Sequence, residues 1–189
     1  MYQLYKYLLI ATLLFTGSNA FGIGGDFTLT GSDGKPYSLS DSRGHVVVLS
    51  FGYTFCPDVC PTSLATISAA LSSIGEAAEQ IDPLFISVDP DRDTPEKLRE
   101  YTHYFHPRMK GLTGTAEQIA EVAKRYHARF DFVGKGETEN YTIDHTANLY
   151  VIDRNGKLAA VLPHGLPPQA LADGLMSTLE QSDEQTIDK

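Results

Sequence analysis

The only cysteines of the chain, Cys56 and Cys60, stand with three residues between them in Phe51-Gly52-Tyr53-Thr54-Phe55-Cys56-Pro57-Asp58-Val59-Cys60-Pro61. A thiol pair at close spacing does one of two things. It cycles between dithiol and disulfide, or it holds a soft metal ion. On a helical path, Cα atoms four residues apart lie roughly 6 Å from each other. A disulfide tolerates Cα separations up to about 6.8 Å. Two thiolates bound at about 2.3 Å to one ion hold their sulfurs about 4 Å apart. The spacing therefore admits both states, and metal binding asks for less contraction. Pro57 and Pro61 lack an N–H, which confines them to a loop or a first helical turn.

Two thiolates alone hold a metal weakly, so a third donor is sought among the six histidines. His145, in Tyr141-Thr142-Ile143-Asp144-His145-Thr146-Ala147, sits just before an apolar strand and is expected in a loop. Two sulfurs and one imidazole suit copper, Cu(I) in particular, and do not suit magnesium or calcium. The plain alternative is a loop residue that caps the strand. Asp144 is either an acceptor that orients the His145 ring or a turn residue at a strand end. Asp58 is either an oxygen ligand for Cu(II) or an acid favourably placed in a first helical turn. Asp89, Asp91, Arg92 and Asp93 form a charged loop that contacts a partner or is simply solvated. His103, His106 and His127 are expected to be structural or exposed, and His164 has no assigned role.

The elements that must position these residues are readable from pattern. Asp26–Thr30 and Tyr37–Leu39 alternate around Ser32-Asp33-Gly34-Lys35-Pro36, the sign of a hairpin. His45–Phe51 is a continuous apolar run and predicts a central strand covered on both faces. Leu64, Ile67, Leu71 and Ile74 predict a helix, with Gly75 as its stop. Pro83–Val88 is a second buried strand. Thr94-Pro95 opens a helix, a hydroxyl cap followed by proline. A short strand near Met109–Leu112 precedes the capping box Thr115–Gln118 and another helix. Strands over Asn148–Asp153 and Lys157–Leu162 join at Asn155-Gly156, and a last helix spans Pro168–Leu179. Strands alternating with helices predict an α/β sandwich, and the closing hairpin followed by a helix is the thioredoxin-like arrangement, a mixed sheet flanked by helices with an N-terminal hairpin extension. In that arrangement the cysteines fall at the N-terminus of the first long helix. The macrodipole and free N–H groups there favour a thiolate.

With 189 residues, 42% hydrophobic and 21% charged, the chain is long enough for one domain with a sizeable core, expected over 22–180. The net charge of −9 argues against nucleic acid or an anionic membrane as partner. Residues 1–20 read as a secretory signal: Lys6, the apolar run Leu8–Phe15, then small residues up to Ala20. The competing reading is an uncleaved anchor, the one expected route to membrane association. The run is shorter than the roughly 20 apolar residues of a spanning helix. The expected location is periplasmic or on the outer face of the cytoplasmic membrane. An exported pair of thiols meets an oxidising compartment, so free thiolates need a dedicated reductant or a protecting metal. Residues 181–189 are expected as a polar tail.

Three separate stretches of the chain resemble the Sco (SenC/PrrC) family of copper-binding cytochrome c oxidase assembly proteins. They are Phe51–Thr54 with Cys56–Pro61, Phe85–Pro95 with Gly111–Gly114, and Asp144–Ala147 with Tyr150–Asp153. The resemblance runs from about Phe27 to about Leu179. One departure is Phe55, where relatives often carry histidine. The resemblance implies a thioredoxin-like fold and copper, as Cu(I) or Cu(II), bound by Cys56, Cys60 and His145. It also implies delivery of that copper to the binuclear site of cytochrome c oxidase subunit II, or exchange with another copper chaperone. The same cysteines, acting catalytically with a thiol reductant, would instead make a thiol–disulfide oxidoreductase that reduces that site or another exported protein. The thioredoxin motif has two residues between its cysteines, whereas here there are three. A thiol peroxidase fits poorly, because Thr54 lies two residues before Cys56 and no proline precedes it.

Overall fold

The hairpin is formed by Thr28–Gly31 (β1) and Pro36–Ser38 (β2), followed by a 3-10 turn at Leu39–Ser42. Val46–Gly52 (β3) is buried along its whole length, as its mostly apolar sequence requires, with Ser50 the one polar side chain in it. The chain then turns into Val59–Ser73 (α1), a second 3-10 turn at Gly75–Gln80, and Ile81–Ser87 (β4). Pro95–Phe105 (α2) starts at Thr94, whose side chain accepts from the Lys97 N–H, with proline at the first position. Lys110–Thr113 (β5) leads to Ala116–Arg125 (α3), whose N-terminus carries the reciprocal Thr115–Gln118 capping box. Phe130–Val133 (β6) and Thr142–His145 (β7) follow, then Leu149–Ile152 (β8), Leu158–Leu162 (β9) and Pro168–Ile187 (α4). The computed structural model describes residues 22–138 and 140–187. The expected leader, residues 1–20, lies outside them. Among the described residues no helix is long and apolar enough to cross a membrane.

Seven strands form one mixed sheet in the order β2-β1-β5-β4-β3-β8-β9. β3, β4 and β5 run parallel, while β8 and β9 close one side antiparallel and β1 the other. This is the thioredoxin-like sandwich with its hairpin extension. α1 packs against β3, α2 and α4, and α2 lies along β5. The two faces of β3 show in adjacent residues. Phe51 packs on the rings of Tyr126 and Tyr150, with centroids 6.0 and 5.6 Å away. Gly52 points the other way, toward Cys60 of α1. Alternation along a strand dictates this split.

Two elements differ from expectation. β6 and β7 form a separate two-stranded antiparallel sheet, pairing Phe130 with His145 and Phe132 with Ile143. The period-two signal was present in Phe130-Asp131-Phe132 and in Thr142-Ile143-Asp144, but each run is only four residues long. α4 runs on to Ile187, past the Leu179 at which its apolar spacing ends. Its extension is tied back by Ser182, which is buried and donates to the Thr178 carbonyl.

Gly52 is small because the sulfur needs the space. A Cβ there would lie 2.6 Å from Cys60 Sγ and 2.8 Å from the Phe85 ring. Both neighbours are held in the core, so neither can retreat freely. We expect Gly52→Ala to lower stability by about 1–3 kcal/mol through overpacking. Urea unfolding of the reduced protein checks this, and an unchanged midpoint contradicts the packing described.

Candidate metal site

Cys56 lies in the turn after β3, and Cys60 is the second residue of α1. Pro57 precedes the helix and Pro61 sits inside its first turn, where no N–H is missed. The turn is pinned by the Cys56 N–H, which donates to the Tyr53 carbonyl at 3.2 Å. The Cys60 N–H is one of the free donors at the helix N-terminus. It points at Cys56 Sγ, 3.4 Å away. Both cysteines are free thiols, Cys60 buried and Cys56 half-buried.

His145 comes to the same point from the separate two-stranded sheet. It is the last residue of β7 rather than a loop residue. Its Nε2 lies 3.2 Å from Cys60 Sγ. Its Nδ1 lies 3.1 Å from the Thr146 carbonyl oxygen. A carbonyl only accepts, so Nδ1 carries the proton and the Nε2 lone pair faces the sulfurs. One ligand atom from each of Cys56, Cys60 and His145 falls within 4.8 Å of the others, the sole such group of three among the described residues. The cluster opens into a cleft of about 550 Å3 that Tyr53, Pro57, Asp58 and Asp144 help to line.

Strand alternation corrects the reading of Asp144 as the group that orients His145. Neighbouring residues in β7 face opposite ways, so Asp144 is exposed and the ring is oriented by the Thr146 backbone. Asp58 is the exposed N-cap residue of α1 and lies outside the three-donor cluster. It contributes its backbone N–H to Cys56. The remaining histidines do not join the site. His106 accepts from the Arg108 N–H, His127 lies in the turn after α3 at φ 52°, and His164 pairs through Nδ1 with Ser63 Oγ.

The two thiols are unequal. The Cys60 thiol and the N–H groups of Asp58 and Cys60 hold Cys56 well below the ordinary thiol range, against the opposing cost of burial. The Cys56 sulfur, together with burial, pushes Cys60 up. One proton is thus retained by the inner sulfur while the outer one is a thiolate at a helix N-terminus.

Residues that the sequence did not mark as part of the site complete it. Tyr53 is buried; its hydroxyl oxygen accepts the Ile143 N–H at 3.2 Å, and its ring meets His145 edge-on at 5.9 Å. Asp89 and Asp93, read as a solvated or partner-binding loop, are each 0% exposed. Asp93 accepts from the Thr54 N–H and hydroxyl, at 3.0 and 2.5 Å, and from Ser87 Oγ at 2.6 Å. Burial pushes its carboxyl up against these hydrogen bonds. Little in local sequence distinguishes such an acid from a solvated one, because two of these three hydrogen bonds come from Thr54, 39 residues away.

The thiol asymmetry has a direct readout. At pH 6 an ordinary thiol is less than about 1% thiolate. Iodoacetamide should therefore label Cys56 of the reduced, metal-free protein at least ~10-fold faster than Cys60, as followed by peptide mass spectrometry. Equal rates contradict the assignment.

A family model described as SCO1/SenC matches residues 16–180. An SCO2-like protein of Rickettsia prowazekii is 41% identical over 136 residues, which cover 71% of this chain and 66% of the relative. The chain thus spans just under two thirds of that relative's length. Bradyrhizobium japonicum ScoI, solved with copper bound, matches with a TM-score of 0.76 at 39% identity, covering 83% of this chain and 99% of the other. At the level of fold alone, BsSco matches with a TM-score of 0.67 at 23% identity, covering 82% and 92%. It is described as having a disulfide switch and as a member of the Sco family of cytochrome c oxidase assembly proteins. With nearly the whole described sandwich inside the matched span, this chain belongs to the SCO1/SenC family.

Proposed function

We propose that the protein binds one copper ion through Cys56 Sγ, Cys60 Sγ and His145 Nε2 and passes it on during assembly of the binuclear copper site of cytochrome c oxidase subunit II, directly or through another chaperone. The observation that carries this reading is the convergence of two soft sulfurs and one imidazole lone pair within 4.8 Å, in an open cleft. That donor set fits copper, and the atoms need little movement to reach bonding distances. Copper is cargo here. Loading displaces the Cys60 proton, and the helix N-terminus that favours the Cys56 thiolate also offsets the extra negative charge of two thiolates. Three protein donors and an open cleft leave room for an incoming ligand, so the ion can leave by exchange. Export across the cytoplasmic membrane, through residues 1–20, is part of this proposal.

A second reading is supported by the protonation of the pair. The Cys56 thiolate can attack a target disulfide, forming a mixed disulfide and releasing one target thiolate. Cys60 then attacks Cys56 Sγ, its proton passes to the leaving sulfur, and the target departs as one thiol and one thiolate, the latter taking its proton from water. The resulting Cys56–Cys60 disulfide needs an exported thiol reductant for the next cycle.

Copper titration of the reduced protein separates the two. The parent should bind one copper per chain and show intense sulfur-to-Cu(II) absorption. His145→Ala should lower Cu(II) affinity by at least ~100-fold, the upper end of what loss of a mere supporting group costs. Reduction of a disulfide substrate should survive that change. Equal binding of both copper oxidation states by parent and variant rules out the donor set.

A further inference from the structure

Between β4 and α2 the chain buries two carboxylates and one guanidinium that touch neither sulfur nor imidazole. Asp93 ties down the cysteine side, through Thr54. Asp89 ties down the histidine side, by accepting from the Tyr141 hydroxyl at 2.6 Å. Ser87 Oγ joins them, donating to Asp93 and accepting the Asp89 N–H at 3.0 Å. Arg92 closes the ring. Its Nε donates to Asp89, and its Nη1 donates to the Tyr141 carbonyl at 2.9 Å. Its guanidinium carbon lies 3.5 Å from the centroid of the Tyr141 ring, 4.8 Å from that of Phe55 and 5.7 Å from that of Tyr53. Nη2 is buried against these rings with no polar partner among the described residues. The rings belong to both halves of the site: Tyr53 and Phe55 precede Cys56, and Tyr141 precedes β7 and His145.

We propose that Arg92 is a positioning residue, which, with Asp89 and Tyr141, locks the strand carrying His145 against the turn carrying Cys56 and so sets the geometry of the third donor. The inference rests on the copper-binding reading above. A lysine cannot replace the arginine. One ammonium cannot bond Asp89 and the Tyr141 carbonyl in a fixed fork while staying within cation–π range of three rings, and it is more strongly hydrated. The sulfur donors depend less on this lock, because Cys56 and Cys60 share one turn and one helix.

Arg92→Lys and Tyr141→Phe test this, the second losing only the hydroxyl bond to Asp89. Each is compared with the parent and with His145→Ala, using Cu(II) alone and Cu(I) alone as probes. Loss of supporting contacts to a ligating histidine typically weakens metal affinity about 10–100-fold. We expect that loss for Cu(II) in Arg92→Lys and a smaller one in Tyr141→Phe, with imidazole hyperfine coupling reduced in electron paramagnetic resonance. Cu(I) affinity should stay within about threefold, since both thiolates are kept. The double variant Arg92→Lys, His145→Ala should bind Cu(II) no worse than His145→Ala alone, because both changes act through one ring. Fully additive losses overturn the proposal, and so does parent-like Cu(II) binding in folded Arg92→Lys. A metal-free readout stands apart from the copper reading. The His145 imidazole should give one slowly exchanging Nδ1–H resonance in the parent and an averaged one in Arg92→Lys. An unchanged resonance there overturns the proposal whether or not copper binds, while a parent that takes up no copper overturns only the functional reading. If Arg92→Lys does not fold, Tyr141→Phe carries each comparison.

Discussion

Two segments 85 residues apart in sequence must bring their side chains together within a few ångströms, with no covalent link to hold them there. That constraint organises the polar interior of the protein. The turn after β3 cannot be fixed by strand pairing, because it is the place where pairing stops. It is held instead by Thr54 on a buried carboxylate and by Cys56 on the Tyr53 carbonyl. β7 belongs to a separate two-stranded sheet, so the main ladder does not hold it either. Tyr53 bridges the gap directly, with its hydroxyl on the Ile143 N–H and its ring against His145. Buried acids are costly to desolvate, and each of these is surrounded by donors that offset the cost.

The same arrangement suits either of the two proposed chemistries. A helix N-terminus favours negative charge whether that charge is a nucleophile or a ligand. An imidazole held with its proton on Nδ1 presents a lone pair, which accepts from a thiol or binds an ion. What differs between a metal site and a redox pair is the third donor, which disulfide exchange does not need. His145 is the residue that separates the two readings, and the structure around it is correspondingly dense.

Most of the sandwich was legible in the sequence because its signals are local. The Val46–Gly52 run, the Thr94-Pro95 cap and the Thr115–Gln118 box each state an element within a few residues, and each element is present. The two cysteines stood out by their spacing, whereas His145 was singled out as third donor by the family resemblance more than by its place before a strand. β6 and β7 escaped notice because four-residue strands carry too little pattern to stand out from a loop. The Asp89–Asp93 loop was misjudged for a deeper reason. Charge in a sequence says nothing about burial, and Thr54 and Tyr141, which bond these acids alongside the nearby Ser87 and Arg92, lie outside any local window. Asp144 was a candidate by adjacency in sequence, which in a strand means the opposite face.

The unequal exposure of the two sulfurs gives any encounter at this site a handedness. Cys60 is shut beneath β3, in contact range of Gly52, while Cys56 stands at the mouth of the cleft. A visiting molecule meets the outer sulfur before the inner one. A mixed disulfide can therefore be started only on Cys56, and a departing ion would shed its innermost anchor last.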